Sequence, residues 1–181
     1  MVLLTLDNFI NNEHVKPALG TYFDTFEPAR GVPHARIPNS TKDDVERAYE
    51  AAAAAFPGWS RTSRADRAKL LYRIADLIDA RLEEFAYAES KDQGKPVELA
   101  KTVDIPRASY NFRFFAGRIL HAVEEAGDLP GVGLSYTQRM PIGVAGLISP
   151  WNLYVFAASL GFVSAFLVYL CGCRPLAPSV D

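Results

Sequence analysis

The side chains able to do chemistry in this 181-residue chain are few and unevenly spread. Cys171 and Cys173 are its two thiols. A nucleophilic cysteine must reach the thiolate, which needs an electropositive or polar surrounding and an adjacent base. These two stand in an apolar tail with Arg174 the nearest charge, and read as small buried hydrophobes. Their close spacing could contribute to a metal site, but four-coordinate zinc needs further ligands. His14, His34 and His121 are far away in sequence, so no metal site is expected. Gly131-Val132-Gly133 is not a dinucleotide fingerprint, because Tyr136 occupies the third glycine position. The remaining constellation is Pro150-Trp151-Asn152, directly after the apolar run from Gly143 to Ser149. On those residues alone, Trp151 and Asn152 cap a strand.

The elements that must position this group divide at Asn39. Before it come short strands and turns. Leu4, Leu6 and Phe9-Ile10 lead to Asn11-Asn12, a tight-turn pair. Tyr22, Phe23 and Phe26 precede Pro28-Ala29-Arg30-Gly31, a second turn, and Val32 to Ile37 returns as a paired strand. After Asn39 the pattern is helical. Ser40 or Thr41 caps a helix whose Val45, Ala48, Tyr49, Ala52 and Phe56 recur at helical spacing, and Pro57-Gly58 ends it. A second helix starts near Ser63. Leu70, Leu71, Ile74, Leu77 and Ile78 form its apolar stripe, with Arg67, Arg73, Asp76 and Arg81 largely off it. The pattern carries on to Gly94, a C-terminal cap. Pro96 opens a third helix that runs to about Val123 and bends at Pro106. Asp128 to Gly133 reads as a loop, Leu134 to Met140 as a strand, and Gly143 to Ser149 as a buried strand.

Composition bounds the rest. The formal net charge of -2 gives no electrostatic reason to expect nucleic acid as a partner. The N-terminal apolar run is short, lacks a basic flank and is interrupted by Asp7, so no signal peptide is expected and the expected location is cytoplasmic.

Three ordered segments carry a resemblance. They are Glu89 to Pro96 (ESKDQGKP), Asp104 to Arg107 leading into Asn111 to Ala116, and Pro141 to Asn152 (PIGVAGLISPWN). Their order and spacing resemble the NAD(P)-dependent aldehyde dehydrogenase superfamily over nearly everything from Phe9 to Leu153. The segments around Ser90 and Asn111 are most similar to one branch of it. The resemblance implies an α/β fold: an incomplete Rossmann-like N-terminal region with a β-ribbon, a helical layer, and one or two strands of the cofactor-binding sheet. It implies an aldehyde as substrate, NAD as cofactor and a homo-oligomer assembled through the Leu134 to Met140 region. It makes Asn152 an amide donor to the oxyanion that develops when a thiolate attacks the aldehyde. Losing such a donor typically costs roughly a hundred- to thousand-fold in rate. It also places Ile148, Ser149, Pro150 and Trp151 beside the nicotinamide ribose, at a strand end where open α/β sheets bind ligands.

The sequence departs from that pattern after Leu153, which divides it into a family region, 1–153, and an apolar tail, 154–181. No Lys, His or Glu follows Glu125, so the lysine that would contact the adenosine ribose and the glutamate that would act as general base are missing, as is the family's nucleophile motif. The chain is therefore expected to be a truncated, catalytically incompetent member. Two alternatives remain open: an interaction fragment that pairs with full-length subunits, or a membrane-associated fragment. For the latter, Leu153 to Cys171 would approach, as a helix rising about 1.5 Å per residue, the roughly 30 Å hydrocarbon core.

Overall fold

The computed structural model describes residues 3–149, and these form an α/β chain. The N-terminal part is a β-ribbon. β1 (Leu4–Thr5) pairs parallel with β5 (Val32–Pro38), which pairs antiparallel with β4 (Tyr22–Glu27). β2 (Asn8–Ile10) and β3 (Glu13–Val15) make a separate hairpin. Asn11 and Asn12 take φ of 53° and 63° at its turn. Both central positions are left-handed, as a two-residue hairpin requires, and Asn tolerates that region better than most residues. The β4–β5 turn closes where Glu27 O accepts from Arg30 N and Gly31 N.

The helical layer follows. α1 (Lys42–Trp59) starts at Thr41 and runs two residues past Pro57, ending beyond the expected stop. α2 (Arg64–Ala80) is capped by Ser63, whose hydroxyl accepts from Asp66 N at 3.1 Å. The helix expected to continue to Gly94 breaks at Arg81, which leaves the helical conformation, and α3 (Leu82–Gln93) starts after it. That break brings Ala86 into the core and Glu89 beneath Lys95. Gly94 then ends α3 in left-handed conformation, φ 75°. After Pro96 come α4 (Val97–Leu99), a π-helical turn (Ala100–Asp104) and α5 (Ile105–Leu120). Pro106 lacks an N–H and crowds the preceding turn. The wider turn just before it, in which Ile105 N reaches Ala100 O, takes up that conflict where a bend was expected.

The core sits between α2 and α5. Ala68, Leu71, Ala75 and Ile78 of α2 meet Ile105, Phe112, Ala116 and Ile119 of α5, joined by Ala86 and Ala100. The alanines let the two helices approach closely. Leu70 and Leu77, expected in the stripe, are half-exposed, whereas Arg67 is buried. Its guanidinium donates to Thr62 O at 2.8 and 3.0 Å, which satisfies the charge while the stem packs.

The last described segment differs most from expectation. Asp128 and Leu129, expected in a loop, belong to β6 (Ala126–Leu129), which pairs antiparallel with β7 (Gly133–Tyr136). Pro130-Gly131-Val132 is the connection, with Gly131 at φ 73°. Leu134 to Tyr136 is strand as expected, but 137–140 is not. Residues 143–149, expected as a buried strand, form none, and Ile148 is 97% exposed. A strand exists by pairing, and among the described residues no parallel neighbour is available to it.

Candidate functional site

The candidate site begins at α1, the helix beside the segment that leads in sequence to Pro150-Trp151-Asn152. Asp44 fixes the start of that helix. Its carboxylate accepts from Thr41 N at 2.8 Å, and from Ala18 N at 2.8 Å across the chain. The Thr41 backbone hydrogen bond holds its carboxyl below the usual range, with the Ala18 bond helping and desolvation opposing. The loop at Ala18 and the helix are thereby held together.

One face of α1 carries Val45, Ala48, Tyr49 and Ala52. With Val144, Ala145 and Gly146 they line an open, mainly apolar groove of about 600 Å³. Glu46 is the one carboxylate among the described lining residues. The chain therefore runs along α1 on its way to Ile148 and Ser149. Of the expected cofactor-binding residues, Ile148 stands in solvent and Ser149 is partly covered. Pro150, Trp151 and Asn152 lie outside the described residues, as do Cys171, Cys173 and the stretch from Leu153 to Cys171.

A second cluster was not singled out from the sequence. Lys95 Nζ lies 3.0 Å from Glu89 Oε1 and 2.7 Å from Asp104 Oδ2. The three side chains are 13%, 3% and 6% exposed. Burial works against the ammonium, but hydrogen bonds to Asp104 and Glu89 outweigh it, so the Lys95 pKa stands above the ordinary lysine value. An amine held charged is an ionic tie, not a nucleophile. It joins the end of α3 to the π-helical turn, and Ser90 Oγ donates to Lys95 O at 2.6 Å beside it. All three residues fall in the first two of the segments quoted above. The signal was two acids and a lysine in segments whose order is fixed, but nothing in their spacing requires them to meet.

The histidines stay apart. His14 rests on Phe9, ring centroids 5.2 Å apart, His34 lies 3.2 Å from Asp92, and His121 ends α5. Among the described residues no group of three or more His, Cys, Asp or Glu could hold a metal. No helix among them is long and apolar enough to cross a membrane.

Comparison with known proteins places these features in a family. The family model described as the aldehyde dehydrogenase family matches residues 14–174, a stretch that runs past Leu153. A relative in Bos taurus, 2-aminomuconic semialdehyde dehydrogenase, is 50% identical over 155 residues, covering 85% of this chain and 31% of its own length. The Homo sapiens protein of the same name is 49% identical over 155 residues, with the same coverage. That is the branch the segments around Ser90 and Asn111 resemble. Among solved structures, the NAD+ complex of aldehyde dehydrogenase from Bacillus cereus is 33% identical with a TM-score of 0.87, over 91% of this chain and 34% of that one. The chain spans about a third of the length of the relatives it matches, and the match falls on the β-ribbon, the helical layer and the segment entering the groove. The chain belongs to the aldehyde dehydrogenase family.

Proposed function

We propose that this chain supplies the N-terminal part of an NAD-dependent aldehyde-oxidising unit. In this reading Asn152 is the oxyanion donor, and Ile148, Ser149, Pro150 and Trp151 form the loop beside the nicotinamide ribose. The observation that carries it is the family match across residues 14–174, which includes Pro-Trp-Asn. Oxidation begins when a thiolate adds to the aldehyde carbon and its carbonyl electrons move to oxygen. The Asn152 amide N–H donates to that oxygen, which stabilises the charge with no proton changing hands. NAD, when bound, would accept the hydride that leaves the carbon. Water then cleaves the resulting thioester to the acid, with a general base taking its proton.

In this reading neither the base nor the nucleophile lies within these 181 residues, and both are supplied from outside them. Two assays separate the parts of this reading. The purified chain, given NAD and aldehydes, should form no NADH above a protein-free control, and turnover would refute that expectation. Residues 1–152 grafted in place of the corresponding part of a full-length relative should give an active enzyme. Asn152→Ala in that chimera should lower kcat by about a hundred- to thousand-fold. Unchanged kcat would remove Asn152 from the mechanism.

One structural feature favours an assembly role as well. The β6–β7 hairpin is exposed along both strands, with Leu134 and Tyr136 outward. Its free edges offer unpaired N–H and C=O groups to another sheet. Mixed with a tagged full-length relative, the chain should co-purify, and Leu134→Lys with Tyr136→Lys should abolish that. No co-purification at micromolar concentration would count against it.

A further inference from the structure

Arg64 stands where a helix least favours it. It is the first residue of α2, at the end that carries positive partial charge, and a cation there works against the helix dipole. Ser63 caps that end and Asp66 supplies an acid in its first turn, so the helix start is served without Arg64. The guanidinium instead reaches the far end of α5. That helix stops at Leu120, and its C-terminus carries the opposite partial charge. Just beyond it, Arg64 Nη1 donates to Ala122 O at 2.8 Å and Arg64 Nη2 to Glu124 Oε1 at 3.1 Å. One planar fork thus holds two points of the linker between α5 and β6.

The linker carries the β6–β7 hairpin. Every residue of both strands is exposed, so neither strand is buried in the helical core. The stem of the hairpin closes on itself: Thr137 N donates to Glu125 O at 2.8 Å, and Arg139 Nη1 to Val123 O at 3.3 Å. A hairpin closed at its stem and exposed along its strands takes its direction from what holds the stem. We propose that Arg64 is a positioning residue for assembly: by gripping Ala122 and Glu124 it fixes the direction in which the hairpin leaves the helical layer, and so presents the hairpin's free edges, already oriented, to a sheet of another family subunit. Edges held in advance spare the ordering cost that a swinging hairpin would meet on pairing. This role rests on the assembly reading given above.

Spin-label distances in the full 181-residue chain test it without any partner. In a Cys171→Ser, Cys173→Ser background, labels on Tyr87→Cys in α3 and Val132→Cys in the hairpin turn, both exposed positions, should give a narrow distance distribution. Arg64→Ala should broaden it, whereas Arg73→Ala, which removes an exposed arginine elsewhere on α2, should not. Glu124→Ala removes a contact from the linker side at an exposed position and should broaden it too, which keeps the test open if Arg64→Ala fails to fold. A broad distribution in the parent chain, or a narrow one that survives both substitutions, would overturn the proposal. Co-purification with a tagged full-length relative reads the consequence. Arg64→Ala should weaken capture about tenfold, the scale of one charge-assisted hydrogen bond, with the urea midpoint little changed. Broadened distances with undiminished capture would also overturn the proposal, because direction would then not matter to pairing. If even the parent chain is not captured, the assembly reading fails, and the distances alone decide whether Arg64 aims the hairpin.

Discussion

Lys95 is the residue whose loss should be felt most. Its ammonium lies between two buried carboxylates, Glu89 and Asp104. Removing one member of a buried ionic cluster leaves uncompensated charge and typically costs about 3–5 kcal/mol, whereas replacing the whole cluster with apolar residues is often neutral. Lys95→Met should therefore abolish or sharply weaken cooperative urea unfolding, and adding Glu89→Leu and Asp104→Leu should restore much of it. Equal damage from the single and triple variants would contradict this account. The pH sense follows from the raised pKa of Lys95. The ammonium's contribution is complete below the ordinary lysine value of 10.5 and is lost as pH rises through the higher folded-state value. Asp44 acts at the other end of the scale. Its pKa is held below 3.8, so its contribution is present above that value and lost as pH falls through the folded-state value. Asp44→Asn should flatten the acid limb of a stability–pH curve measured by denaturant midpoints. An unaltered acid limb would show that Asp44 does not set it.

The corner between α3 and the β4–β5 turn rests on a glycine. Gly94 has φ 75°, and a Cβ there would stand 2.9 Å from Pro28 Cβ. A left-handed non-glycine residue costs about 1–3 kcal/mol before any clash. Gly94→Ala should lower the urea midpoint accordingly. Pro28→Gly in the same chain should recover only the steric part, and full recovery would show that the backbone conformation is not the problem. This glycine was legible in the sequence as a helix stop, as were the Asn11-Asn12 turn and the Thr41 and Ser63 caps. Such features are local: the residue type satisfies backbone groups one to four positions away. What depended on distant partners was not legible. Residues 143–149 have strand composition, but pairing partners decide whether composition becomes a strand. Asp128 and Leu129 look like loop until Leu134 and Gly133 approach from across the turn. Arg67 looks like solvent-facing charge until the carbonyl of Thr62 turns inward to receive it. For the candidate site, the approach along α1 was readable as a periodic apolar stripe. Its lining by Val144 to Gly146 was not, because no local rule joins those two stretches.

At the scale of the molecule, the core belongs to one helix pair and its neighbours, while both ends of the described chain expose much apolar surface. Phe9, Phe23 and Phe26 stand out near one end, and Val132, Leu134, Met140 and Ile148 near the other. A chain that leaves so much apolar surface wet has forgone part of its main stabilising term. The isolated 181-residue chain should melt at low temperature, and a sharp cooperative transition at high temperature would contradict that. The buried Lys95 cluster adds a consequence for behaviour in salt. At molar ionic strength the screening length shrinks to about 3 Å in solvent, but screening acts far less on groups withdrawn from it. The exposed pairs Lys69–Asp66 and Arg81–Glu84 should fade under such conditions, while the tie between α3 and the π-helical turn persists. In brine, then, the joint at Lys95 would remain an electrostatic hinge-pin of the helical layer after its surface counterparts had been silenced.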